Sequence, residues 1–173
     1  MPRLFVAVRP PVDVLAGIGT LERRDEPGVR WVPPEQWHVT VRFLGEAPLE
    51  EAVAALDAAR PALRDLGVVE AVVGPQVARL GRHVVCLPVA GLDGVAAAVA
   101  DATGSVGQPP DPRPFRGHVT LARLQQRAAC GLAGQRFSAR FRVGEVELVR
   151  SVLGRGGARH EPVHTVGVGG GPP

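Results

Sequence analysis

Two of the five histidines in this 173-residue chain open the same triplet, His38-Val39-Thr40 and His118-Val119-Thr120. Imidazole titrates near neutral pH, so two of them facing one ligand supply a general base and a general acid together. Each triplet also carries a threonine hydroxyl that can hydrogen-bond an oxygen lying between them. With five His and five Thr in the whole chain, chance seldom produces His-x-Thr twice in matching surroundings, and the repeat points to a shared task. His83, His160 and His164 sit in no such motif and read as structural. Cys86 and Cys130 fit no ligand spacing and read as unpaired thiols, and nothing supplies a third ligand beside the two motif histidines. A metal site is therefore not expected.

The elements that position the triplets alternate between strand and helix. Arg3 to Val8 is a short apolar run stopped by Pro10-Pro11, and a weakly amphipathic stretch follows with Val12, Leu15, Ile18 and Leu21. Trp37 to Leu44 is rich in β-branched and aromatic residues and reads as a strand. From Pro48 to about Arg64, Leu49, Ala52, Val53, Leu56 and Leu63 recur at helical spacing, with Pro61 expected to shorten or kink that helix. The second half repeats the plan: a strand from His83 to Val89, a helix from Leu92 to Thr103, a proline-rich loop, and a strand from His118. Segments "RFSARFRV", "GEVELVRSVLG" and "EPVHTVGV" read as further strands. This implies an internally duplicated α/β protein of two similar lobes, a single domain over residues 1–168 with a flexible Gly/Pro tail at 169–173.

Side chains alternate along a strand, so His38 and Thr40 are expected on one polar face with Val39 and Val41 on the buried one. The same holds for His118 and Thr120 against Val119 and Leu121. If an approximate twofold relates the lobes, the two polar faces meet across a cleft. Arg42 shares the parity of His38 and Thr40, which makes it a candidate for contact with an anion.

Composition removes alternatives. At 45% apolar content the chain can build a core. No apolar run approaches the roughly 20 residues that cross a bilayer, and Pro10-Pro11 comes too early for a signal peptide, so a cytoplasmic protein with no membrane partner is expected. Every basic residue is arginine, and between Arg113 and Arg159 ten of them face only Glu145 and Glu147. Such a surface suits a phosphorylated ligand, although a compositional bias toward Ala, Gly, Pro and Arg produces the same pattern.

The segments "RLFVAV", "VRWVPPEQWHVTVRFLGE", "RPFRGHVTLARL" and "EVELVRSVLGRGGARHEPV" together make the chain resemble the two-histidine phosphoesterase superfamily. Within it, the resemblance is to the RNA 2′,3′-cyclic phosphodiesterases, also called 2′-5′ RNA ligase-like proteins. It implies a pseudo-symmetric two-lobed α/β (α+β) fold, with mostly antiparallel sheets lining a central cleft and helices outside. It also implies hydrolysis of a 2′,3′-cyclic phosphodiester at an RNA 3′ end or on a small nucleotide, leaving a 2′-phosphate, without cofactor or metal. His38 is then the proton donor and His118 the proton acceptor, Thr40 and Thr120 bind the phosphate oxygens, and Arg123 binds the phosphate. Arg123 has the wrong parity for that face unless the strand ends or bulges near Ala122. Phe43 and Phe115 are candidates for stacking on a base. A monomer is expected. The proline-rich segment before the second motif, with His83 and Cys86, departs from the usual pattern and bears on base preference. Two other classes fit the same residues: an ADP-ribose cyclic phosphate phosphodiesterase or 2′-5′ RNA ligase, and a non-catalytic nucleotide- or RNA-binding module.

Overall fold

The computed structural model describes residues 1–155 and 157–170. Ten strands form one continuous, mostly antiparallel system. One lobe orders β10 (Gly157–Gly167), β9 (Glu145–Gly154), β1 (Arg3–Val8) and β3 (Val39–Glu46). The other continues with β7 (His118–Leu124), β6 (Val84–Ala90), β4 (Glu70–Val73) and β8 (Ala139–Arg142). Two short strands pair at the sides, β2 (Val29–Trp31) on β7 and β5 (Ala78–Leu80) on β6.

The lobes join through β3 and β7, whose one registered pair is Val39 with Val119. Each motif strand is thus the inner strand of its own lobe, and the strand order mirrors about that junction. The helices complete the symmetry. Helix α1 (Val12–Gly19) follows β1 and packs on β8 of the other lobe, while α4 (Asp93–Ala102) follows β6 and packs on β3. Helices α2 (Leu49–Ala58) and α3 (Arg60–Asp65) cover β9 and β10. The two-lobed fold with helices outside is the one expected.

Local chemistry explains the main departures from the sequence reading. The long helix from Pro48 breaks at Ala59, whose N–H bonds Leu56 O at 3.1 Å in a tighter turn. Pro61 has no N–H to continue the ladder, so the chain restarts as α3. In α1 the buried residues are Val14 and Ile18, whereas Val12 is exposed at the first turn. Strand β10 begins at Gly157, four residues before the expected "EPVHTVGV", because β9 folds back on it as a hairpin. Short strands β2, β4 and β5 carry too few residues to show a period of two. Of the expected tail, Gly169 is tied down, its N–H donating to Leu63 O at 2.9 Å; Gly171 to Pro173 lie outside the described residues.

The core has two parts. Leu4, Val6 and Val8 of β1 enter the main cluster with Trp37, Val39, Val119 and Leu121, while Phe5 and Ala7 point to the opposite face and meet Val149. Strand β1 is therefore apolar from Leu4 to Val8, as a strand covered on both faces must be. The smaller cluster lies under the histidines, with Phe5 stacked against His38 at 4.9 Å between ring centroids.

Candidate active site

The strands deliver the alternation expected of them. Val39, Val41, Val119 and Leu121 are buried, and His38, Thr40, His118 and Thr120 lie half-exposed on the other face. β3 and β7 pair antiparallel at Val39 and Val119, and that register carried one residue to each side sets His38 opposite Thr120 and Thr40 opposite His118. The two imidazoles are diagonal neighbours, a relation that in a regular ladder sets side chains roughly 7–8 Å apart. All four side chains line one cleft of about 480 Å³.

Both rings are held in the same way. His38 Nδ1 lies 2.6 Å from Gln36 O, and His118 Nδ1 lies 2.7 Å from Arg116 O. In each case a backbone carbonyl two residues earlier can only accept, so Nδ1 carries the proton and donates it. Nε2 is left with the lone pair, on two side chains that both line the cleft. In the first motif Thr40 Oγ1 lies 3.0 Å from His38 Nε2 and donates to it in this tautomer.

The arginines show why strand parity alone misleads. Val6 pairs with Arg42 and Ala7 with Thr40, so Val41 is an extra residue, a β-bulge immediately after the motif threonine. Strand β7 has the same device: Val85 pairs with Ala122 and Cys86 with Thr120, leaving Leu121 unpaired. Each bulge reverses the alternation beyond it. Arg123 is thereby turned out to the face of His118 and Thr120 and lines the cleft.

The same reversal removes Arg42 from that face. Its side chain is 6% exposed and engaged with Thr103 Oγ1, at 3.3 Å from Nε, and with the carbonyls of Phe43 and Gln108. It ties β3 to the end of α4 and to the proline-rich loop, and it does not line the histidine cleft. Phe43 occupies the place in the first lobe that Arg123 holds in the second, five residues after the motif histidine. It is 40% exposed, with the Arg3 guanidinium 5.6 Å from its ring centroid. Phe43 and Phe115 do not line the histidine cleft. They line a larger neighbouring hollow of about 590 Å³ that has no imidazole and shares Thr40 with the cleft.

Two titratable residues of the cleft lie outside the two motifs. His160, on β10, meets His38 edge-on at 5.2 Å between centroids and Phe5 at 5.0 Å, and its buried Nδ1 has no partner among the described residues. Arg30, on β2, also lines the cleft. A strand beginning at Gly157 would have put His160 in an element, but its approach to His38 depends on the order β10-β9-β1-β3. His83 and His164 lie elsewhere, bonded to Leu124 O and Asp57 respectively.

Burial pushes His38 down to about 4, against the carbonyl of Gln36, which favours the charged ring; His160, Arg9 and His118 add to the depression. The folded protein thus binds this proton only below about 4, while the unfolded chain binds it below its ordinary 6.5. Stability from this group is complete above about 6.5 and falls as pH drops toward about 4, because the unfolded chain then holds the extra proton. An NMR titration of the His38 Hε1 proton is expected to show a midpoint near 4. A midpoint at the ordinary imidazole value would contradict the packing of Phe5 and His160 against the ring.

Comparison with known proteins finds a likeness for these features. Residues 14–71, which contain the first motif, match the family described as LigT like Phosphoesterase. E. coli LigT, solved in complex with 3′-AMP, is 25% identical and superposes with a TM-score of 0.79 over 96% of this chain and 98% of its own. The chain thus resembles the LigT-like phosphoesterases in the segment that carries its first motif, and shares the LigT fold along nearly its whole length. A solved structure described as a phosphoesterase shares the fold of this chain at TM-score 0.80 and 24% identity, covering 97% of this chain and 98% of that one. The MHV ns2 PDE domain shares it more distantly, at TM-score 0.59 and 14% identity, over 86% and 99% of the two chains. No curated protein sequence matches this chain. No helix among its described residues is long and apolar enough to cross a membrane.

Proposed function

We propose that this chain is a two-histidine phosphoesterase that hydrolyses the 2′,3′-cyclic phosphate at RNA 3′ ends, or on small nucleotides, to a 2′-phosphomonoester. One observation carries this reading: two imidazoles on neighbouring strands, each fixed through Nδ1 to the carbonyl two residues before it and so keeping the lone pair on Nε2, line one cleft. The 3′-AMP held by E. coli LigT is in keeping with a nucleotide bearing a ribose phosphate. Water attacks phosphorus as His118 Nε2 takes its proton, the bond to the ribose 3′-oxygen breaks, and His38 Nε2 protonates that oxygen. Thr40, Thr120 and Arg123 hold the non-bridging oxygens as charge develops on them. In this reading residues 1–168 form one catalytic unit built by duplication of a strand–helix–strand segment, which the mirrored strand order and the paired bulges support.

The depressed His38 favours a second order of roles. With an affinity near 4 the free ring is neutral at pH 7, as a base must be; to serve as acid it has to gain its proton when the phosphodiester anion enters the cleft. A nucleoside phosphodiester that expels p-nitrophenolate separates the two orders, since that leaving group needs no proton. On this substrate the His38→Ala protein keeps most of the parent rate if His38 is the acid, and loses it if His38 is the base.

Hydrolysis is expected to proceed without a metal. Among the described residues no three His, Cys, Asp or Glu side chains gather to hold an ion. Turnover of a 2′,3′-cyclic nucleotide is expected to survive excess EDTA unchanged. Loss with chelator and recovery on adding a divalent cation would refute the mechanism.

A further inference from the structure

Arg30 on β2 and Arg123 on β7 are registered directly opposite each other. Like charges at opposed positions repel, so the arrangement costs stability unless an anion lies between or beside them. Both side chains are exposed, and among the described residues neither joins an ion pair. The positions are not loosely held. Val32 N–H donates to Leu121 O at 2.9 Å, Gln125 N–H to Gly28 O at 2.8 Å, and Trp31 Nε1–H to Arg24 O at 2.9 Å, so three residues of strand are pinned on both sides of Arg30.

The surroundings select an anion. The histidine cleft is lined by Arg30, Arg123, three histidines and neutral residues, with no carboxylate. On its far side the same two arginines line a second hollow of about 390 Å³, with Gly28, Val29, Leu124 and Gln125, again without a carboxylate. The pair therefore stands at the boundary between the reacting cleft and an adjoining space. A cyclic phosphate carries a single negative charge, and Arg123 beside Thr120 suffices for it. Arg30 is a second guanidinium one strand further out, with the fork geometry that takes phosphoryl oxygens two at a time.

Chemistry fixes what lies there. The ribose that bears a 2′,3′-cyclic phosphate at one edge carries its 5′-oxygen at the other, so a phosphoryl group on that oxygen stands one sugar away from the reacting phosphorus. Resting on the phosphodiesterase reading above, we propose that Arg30, with Arg123, forms a subsite for a phosphoryl group on the 5′-oxygen of the ribose carrying the cyclic phosphate. The protein then prefers ends that continue through that oxygen, whether by an internucleotide phosphodiester or by a diphosphate, over a free nucleoside cyclic phosphate.

The test compares kcat/KM for adenosine 2′,3′-cyclic phosphate with and without a 5′-phosphate. The parent is expected to favour the 5′-phosphorylated compound at least about tenfold, a preference that falls to near unity in Arg30→Gln and is partly kept in Arg30→Lys. Arg140→Gln, on β8 beside Glu70, changes one exposed arginine elsewhere and is expected to keep the full preference. A dinucleotide ending in the cyclic phosphate and a diphosphate-linked ribose cyclic phosphate, run side by side, show which continuation is preferred. Calorimetric affinities for adenosine 2′,5′-bisphosphate against adenosine 2′-phosphate read the same subsite without turnover, and the expected advantage of the bisphosphate again disappears in Arg30→Gln. A parent ratio near unity in both measurements, or a ratio that survives Arg30→Gln, would overturn the subsite. Absence of turnover on every cyclic compound with the affinity ratio intact would instead overturn the phosphodiesterase reading.

Discussion

Alanine at either His38 or His118 is expected to lower turnover of adenosine 2′,3′-cyclic phosphate by at least about 100-fold, the typical contribution of one general acid–base group. Both rings are fixed by a carbonyl at Nδ1 and both line one cleft, so neither can replace the other from its own strand. The double variant is expected to lose little more than the worse single one, because acid and base act in one step. Initial-rate assays with the folded state of each variant checked by circular dichroism give the comparison. A His118→Ala rate within a few-fold of the parent would mean that only one imidazole takes part.

Arg123→Gln is expected to cost roughly 100- to 1,000-fold in kcat, the usual loss when one charge-stabilising donor is removed from a reaction centre. The argument is geometric. The bulge at Leu121 turns Arg123 to the face of His118 and Thr120, on a strand whose register with β6 is otherwise regular. Arg123→Lys keeps the charge but not the planar fork and is expected to recover part of the loss. Arg42→Gln offers the contrast: Arg42 is committed to Thr103 and two carbonyls, so its replacement is expected to lower the denaturation midpoint before it changes the pH profile of turnover. A wild-type kcat in Arg123→Gln would remove this residue from the mechanism.

How far the sequence could be read depended on whether the information was local. Alternation along a strand is local, and it put His38 and Thr40 together on one face and His118 and Thr120 on another without any knowledge of pairing. The bulges at Val41 and Leu121 are not local: they arise where β3 meets β1 and where β7 meets β6, and no residue type marks them. One parity rule therefore pointed to Arg42 and against Arg123, and in both cases the bulge reversed it. His160 and Arg30 reach the cleft only through the order of strands. His160 depends on a hairpin laid beside β1, and Arg30 on a three-residue strand too short to show a pattern. The helix stripes, by contrast, were legible wherever packing was one-sided, as in α4 with Val95, Ala96 and Val99 buried.

The central claim is that two imidazoles open a cyclic phosphate with the 3′-oxygen leaving beside His38. Phosphorus NMR of the product formed from adenosine 2′,3′-cyclic phosphate tests it most directly, because the attacking water and the leaving oxygen must lie on opposite sides of phosphorus and the pose decides which bond breaks. Adenosine 2′-phosphate with a free 3′-hydroxyl is the expected product. A predominantly 3′-phosphate product would contradict the placement of the 3′-oxygen at His38, and unchanged substrate would contradict the claim altogether.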